Sequence, residues 1–314
     1  MIEVIPLPNT KKHNKVFSKI DTIPSGRAPD TVIPGCMVLE GGAFRGVYGE
    51  GVLDLLMEAG INLSCTIGVS AGAMNGSNYA SGQIGRSARI NLTYRHDSRY
   101  VGAGAIRENQ GIIGFRFAFE DYDRIEPLDR DRLNDPRRRF IAVATDCNTG
   151  KPVYFENGKC SDILQAIRAS ASMPYLSKVV YVDGIPCLDG GCSVKVPYQW
   201  ALDQGYEKIV VIRSRMKGNR REIKSSEKKM ADLVYGRRYP AFAAVQGHSS
   251  EAANRQCDEM DRLEAEKRIF VISPSRDLGV DRLEKNMEKL GALYYLGFKD
   301  AKRALPELRA YLEA

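Results

Sequence analysis

Histidine is nearly absent from this chain: His13, His96 and His248 are the only three in 314 residues. A catalytic scheme built on imidazole therefore has three candidates and no more. No apolar run approaches the roughly 18 residues of a membrane-spanning helix, so no transmembrane segment is expected. The opening Met1-Ile-Glu-Val-Ile-Pro6 has no basic stretch followed by a long apolar one, which predicts no secretion signal. The seven cysteines are odd in number and never spaced as Cys-x-x-Cys. That pattern predicts reduced thiols in a cytoplasmic protein, not a disulfide framework or a zinc site. Gly-Lys-Ser/Thr is missing too, which excludes a Walker-type phosphate loop. No histidine, cysteine or carboxylate cluster has ligand spacing, so neither a metal, calcium included, nor a cofactor is expected.

Apolar residues make up 43% of the chain, enough for a large core, and the net charge is a mild +7. Residues 1–34 are polar, are broken by Pro6, Pro8, Pro24, Pro29 and Pro34, and read as an irregular lead-in. From Cys36 onward, strands alternate with helices. Cys36–Leu39, Cys65–Ile67, Phe140–Ala144, Pro152–Phe155, Lys208–Ile212 and Arg268–Ile272 read as strands, most of them apolar enough to be buried on both faces. Helices are predicted from about Val47 to a stop at Gly60, and over Ala71–Ala80. Asp162 with Gln165 resembles a capping box opening a helix to Ala171. The stretch 281–290 is predicted helical, and a final helix presents Phe298, Ala301, Leu305, Leu308 and Leu312 on one face. The alternation predicts a three-layer α/β/α sandwich with a mostly parallel sheet and its site at the strands' C-terminal ends. Three regions are expected: the lead-in 1–34, a catalytic region 35–215, and an extension 216–314 packed on the same body.

Three segments carry the chemistry. Gly68-Val69-Ser70-Ala71-Gly72 lies between a predicted strand and a predicted helix. There it is either a nucleophile elbow, with the serine hydroxyl projecting at a helix N-terminus, or a tight structural turn. Glu40-Gly41-Gly42-Ala43-Phe44-Arg45-Gly46 has the same setting, and its bare N–H groups suit an oxyanion or a phosphate, or simply a strand–helix turn. Arg45 orients that loop, binds a substrate phosphate, or holds carbonyls. Asp189-Gly190-Gly191 ends an apolar run, and either aims a carboxylate at a neighbouring site or makes an Asp-Gly turn.

Taken together and in this order, the three segments resemble the patatin-like phospholipase family over about residues 35–215. Gly41–Gly46 resembles the family's Gly-Gly-Gly-x-(Arg/Lys)-Gly, with Ala43 in place of the third glycine; its N–H is expected to point inward if φ stays negative. Gly51-Val52-Leu53, Thr145-Asp146, Ala169-Ser170 with Pro174, and Asp189-Gly190-Gly191 also match family patterns. The resemblance implies Ser70 as nucleophile and Asp189 as the base of a Ser–Asp dyad. It also implies an oxyanion hole from Gly41, Gly42, Ala43 and Arg45, supported by Gly46, Gly68, Gly72, Gly190 and Gly191. The implied reaction is hydrolysis of phospholipid or other lipid esters through an acyl-serine intermediate. His248 follows Asp189, so a Ser-His-Asp triad esterase is the first alternative. A lipid-binding protein without turnover is the second, and the intact Ser70, Asp189 and glycine loop count against it. The cations from Arg213 to Lys229 suit an anionic membrane surface or a solvated face; no aromatic residue interleaves them, which disfavours nucleic acid. A cytoplasmic protein touching the membrane periphery is therefore expected.

Overall fold

The computed structural model of the protein describes residues 15–314. His13 and the first part of the lead-in lie outside the described residues. The apolar run at Cys36 belongs to β1 (Ile33–Leu39), followed by α1 (Val47–Glu58), β2 (Leu63–Val69), α2 (Ala71–Ala80) and α3 (Arg86–Tyr94). Next come β3 (Arg139–Asp146), β4 (Pro152–Glu156), α4 (Ile163–Ser170), β5 (Val180–Val182) and β6 (Ile185–Asp189). The chain continues through α5 (Tyr198–Asp203), β7 (Ile209–Ile212), α6 (Ser225–Tyr235), α7 (Pro240–Gly247) and α8 (Ser249–Ala265). It ends with β8 (Phe270–Ile272) and α9 (Met287–Glu313).

One sheet of eight strands runs β8-β7-β1-β2-β3-β6-β5, with β4 also paired to β3. The pairs from β8 through β3 are parallel, whereas β6, β5 and β4 add antiparallel pairs at one side. The strands are apolar on both faces because both faces are covered. Met37 and Leu39 pack with α1 and α9 residues such as Val52, Leu56 and Leu290. Cys36 and Val38, pointing the other way, pack with Tyr198, Met260 and Leu263 of α5 and α8. A three-layer sandwich results. Helices α1 and α9 cross so closely that a Cβ on Gly51 would fall on the Tyr294 carbonyl, and one on Gly297 on the Tyr48 carbonyl. Among the described residues, no helix is long and apolar enough to cross a membrane.

Two local expectations change. Asp162 does cap α4, accepting from Leu164 N (2.9 Å) and Gln165 N (3.1 Å), but the Gln165 side chain turns to the Tyr181 carbonyl instead of closing the box. The predicted helix over 281–290 starts only at Met287. Side chains take the backbone groups that a helix would use: Glu284 Oε1 accepts from Lys285 N and Asn286 N, each at 2.9 Å. Asn286 Oδ1 then caps α9 at Lys289 N, 3.1 Å away. Arg95 adds bonds to the Leu283 and Glu284 carbonyls, each at 2.6 Å. Residues 281–286 thus form an irregular strap, and α9 is one helix of 27 residues.

Candidate active site

Ser70 stands between the end of β2 and the start of α2 with φ 57° and ψ −123°. A non-glycine residue there carries about 1–3 kcal/mol of strain, borne by the surrounding packing. The flanking glycines permit it. A Cβ on Gly68 would meet the Gly72 backbone, and one on Gly72 would lie 2.5 Å from Leu39 O. Ser70 N donates to Ser170 Oγ (2.8 Å), which donates to Val143 O (2.6 Å), so α4 and β3 fix the elbow. Ser170 sits in the Ala169-Ser170 motif, but its contact with the nucleophile's backbone is not visible in that pattern.

Asp189 ends β6. Its Oδ2 accepts from Ser70 Oγ at 2.7 Å, while Oδ1 accepts from Gly191 N at 2.7 Å. Thr145 Oγ1 donates to the Asp189 carbonyl at 2.9 Å, tying the turn to β3. Burial pushes the Asp189 carboxyl above its usual range; the bonds from Ser70 and Gly191, and the nearby Lys195 and Arg282, oppose that rise. Ser70 and Asp189 are therefore a bonded pair in which the acid is easier to protonate than an exposed one.

The glycine loop passes beside this pair. A Cβ on Gly41 would lie 2.9 Å from Val69 O and 3.0 Å from Ser70 Cβ, so only glycine allows the approach. Among the described residues the N–H groups of Gly41, Gly42, Ala43 and Ala71 have no acceptor. Phe44 N, by contrast, donates to Arg282 O (3.1 Å) and Arg45 N to Gly42 O (3.2 Å). The Arg45 N–H is thus used inside the turn, which leaves its side chain as the part free to meet a substrate. The expectation of a negative φ at Ala43 also fails: φ is +50°, a conformation that favours glycine. Gly46 is needed for packing, since a Cβ there would lie 2.8 Å from Ala71 Cβ, and one on Gly190 would strike Val143 O.

A cavity of about 380 Å³ opens over the pair, lined by Gly41, Ser70, Asp189, Lys195, Arg221 and Arg282 among others. A smaller cleft also reaches Ser70, with Phe44, Met74, Ile90, Ile113 and Phe119 on its walls beside the polar Glu50, Asn78 and Arg86. Neither described histidine bonds to Ser70 or Asp189. The exposed His248 ring meets Ala244 O at 2.8 Å, and His96 Nε2 meets Lys285 O at 2.8 Å. The predicted Arg213–Lys229 cluster is dispersed. Arg213 is buried near Glu40, Arg215 and Arg221 face the Ser70 cavity, and Lys228 and Lys229 are exposed on α6.

Residues 37–202, with the elbow, the glycine loop and Asp189 inside them, match the family model for Patatin-like phospholipase. The chain belongs to that family. As a patatin-like protein it is a lipid hydrolase at the level the family defines. Residues 239–313 match a second model, a domain of unknown function (DUF6363). The uncharacterized protein YjjU of Escherichia coli (strain K12) is 30% identical over 269 residues, covering 83% of this chain and 74% of YjjU. The uncharacterized NTE family protein Rv1063c of Mycobacterium tuberculosis (strain H37Rv) is 31% identical over 168 residues, 51% of this chain and 43% of that protein. The crystal structure of VipD from Legionella pneumophila aligns with a TM-score of 0.45 at 13% identity, over 90% of this chain and 68% of VipD.

Proposed function

We propose that this protein hydrolyses phospholipid or other lipid esters through a Ser70–Asp189 dyad and an acyl-Ser70 intermediate. The 2.7 Å hydrogen bond from Ser70 Oγ to Asp189 Oδ2 carries the reading. As Ser70 Oγ attacks the ester carbonyl, its proton passes to Asp189; the raised carboxyl pKa makes that transfer less uphill. The oxyanion is met by the free N–H groups of Gly41, Gly42, Ala43 and Ala71, where one lost donor costs about 100- to 1000-fold in rate. The leaving alcohol takes the proton back. Water then gives a proton to Asp189 as it attacks the acyl ester, and Asp189 passes that proton to Ser70 Oγ as the acid departs.

The acyl chain enters by the smaller cleft, past Met74, Ile90 and Phe119, and the rest of the lipid occupies the larger cavity, because Ser70 lines both. Membrane contact fits α6, whose Met230, Leu233 and Val234 are exposed, with Met230 also on the cavity wall. A cytoplasmic enzyme working at the membrane periphery is the corresponding setting. A fluorophosphonate probe, followed by mapping of the adduct, tests the assignment: Ser70 should be the one serine labelled stoichiometrically. Labelling elsewhere, or none in folded protein, removes the hydrolase reading. His248→Ala should keep activity within about tenfold, or about 1.4 kcal/mol in the barrier. A loss of several orders of magnitude in that variant replaces the dyad with a triad.

A further inference from the structure

Among the cations after β7, two sets stand apart. Lys217 pairs with Glu264 (2.7 Å), Arg220 with Asp258 and Asp261 (2.7 and 2.8 Å), and Lys224 with Glu222 (3.1 Å). Arg215 and Arg221 face the other way, into the Ser70 cavity, where Arg45, Lys195 and Arg282 also lie. Among the described residues, none of these five forms an ion pair. The Arg221 and Arg282 guanidiniums make no hydrogen bond there either, and Arg45 Nε is buried without a partner. Arg215 has only Asn219 Oδ1 at 3.2 Å, and Lys195 Nζ only the Gly191 carbonyl.

The carboxylates on the cavity wall do not balance this charge. They are Asp189 and Glu227. Asp189 already bonds Ser70 and Gly191, and Glu227 accepts from Ser250 Oγ at 2.8 Å. The crowding shows in the groups themselves. Burial, then Arg221, lowers Lys195 to about 8; burial, then Arg215, Arg282 and Arg221, lowers Arg45 to about 10. Five cations face two wall carboxylates, and Glu40, which acts on Arg45 and Arg221 from behind, is already paired with Arg213. The concave site keeps an excess of positive charge, which attracts and concentrates an anion. Guanidinium forks match the geometry of phosphate oxygens.

We propose that the cavity beside Ser70 binds a phosphomonoester dianion as the substrate's headgroup, through Arg45, Arg215, Arg221, Arg282 and Lys195. This rests on the acyl-hydrolase reading and narrows it. The preferred substrates are acyl esters of glycerol phosphate, such as phosphatidic or lysophosphatidic acid. Choline or ethanolamine headgroups would set an ammonium among five like charges. The reaction is otherwise unchanged: Ser70 takes the acyl group, the deacylated phosphate ester leaves as the alcohol, and water releases the fatty acid.

Two measurements test it. The first is kcat/KM of the full chain in neutral detergent micelles on didecanoyl phosphatidic acid and didecanoyl phosphatidylcholine. The phosphomonoester should be preferred by about tenfold or more, and the preference should shrink to about threefold in Arg221→Gln/Arg282→Gln. Equal rates in the wild type, or an unchanged ratio in the variant, overturn the proposal. Should the double variant not fold, Arg282→Gln alone serves, because that residue is exposed. The second measurement needs no turnover: calorimetric titration of Ser70→Ala with sn-glycerol 3-phosphate and, separately, with inorganic phosphate. Glycerol phosphate should bind, and more weakly once Arg221 and Arg282 are replaced; no binding overturns the proposal whatever the enzyme hydrolyses. Inorganic phosphate binding without a phosphatidic acid preference makes this a free-anion site, which also overturns it. Binding of glycerol phosphate with no ester cleaved removes the acyl-hydrolase reading and leaves the anion cavity standing.

Discussion

On one side of the cavity, Ser70 and Asp189 end strands whose Ile67, Val69, Cys187 and Leu188 are fully buried. On the other side, Arg215, Arg221 and Arg282 sit on irregular chain and are half-buried or exposed. The two constructions suit the role proposed for each side. A proton transfer and an oxyanion contact need positions held within about 0.5 Å, which rigid elements supply. Coulomb attraction falls only as the inverse of distance, so a cation on a loop still attracts an anion after shifting by an ångström. Substitutions should therefore act steeply on the strand side and gradually on the loop side.

The steepest test is Asp189→Asn. The amide keeps the shape but cannot take the Ser70 proton, so turnover should fall by about a thousandfold or more, about 4 kcal/mol in the barrier, with the fold retained by circular dichroism. In the wild type, kcat/KM should rise with pH through one ionisation lying above the ordinary carboxylate value of 3.8, because burial raises Asp189. Stability has the opposite slope. A raised folded pKa means the protonated form is favoured in the fold. Its contribution is complete below the ordinary pKa and is lost as pH rises through the folded one. Asp189→Asn should lack that loss in pH-dependent melting. A folded Asp189→Asn protein that hydrolyses esters at near wild-type rate breaks the comparison at its stronger end.

The same contrast explains what the sequence reveals. At Gly41, Gly68 and Gly72 a side chain would collide with backbone, so the elbow and the loop leave glycines that can be read directly. Helix α2 follows its predicted bounds because Ser70 must open it. The strap 281–286 leaves no such mark. Its irregular path depends on Arg95, distant in sequence, and its charges look like those of a solvated helix. Likewise, nothing within Arg213–Lys229 indicates which cations find carboxylates on α8 and which face Ser70. Strand direction is hidden as well: β6 reads as an apolar run, and only its partner β3 makes it antiparallel.

A smaller effect is expected at the strap's end. Asn286→Ala removes the cap at Lys289 N and should cost about 1 kcal/mol of stability in denaturant melts. Turnover of an uncharged ester should change far less than in Asp189→Asn, since Arg282 is only loosely placed. A loss of activity as large as that of Asp189→Asn would mean that the strap is held as strictly as the strands.

The smallest effect is expected at Ala43, on the boundary between the two constructions. Its φ of +50° costs an alanine about 1–2 kcal/mol that a glycine avoids. Glycine also loosens the unfolded chain, which returns about 0.4–1 kcal/mol to the unfolded state. Ala43→Gly should therefore stabilise the protein by between about zero and 1.6 kcal/mol, measured by chemical denaturation. Its effect on rate is the sharper question. If neighbouring contacts (Gly41 against Ser70, Phe44 N on Arg282 O) already fix the direction of the Ala43 N–H, the glycine variant should work within about threefold of wild type. A gain beyond about tenfold would mean that alanine holds the donor off line. The loop would then belong with the adaptable cationic side, and the rigid part of the site would shrink to Ser70, Asp189 and the strands that end in them.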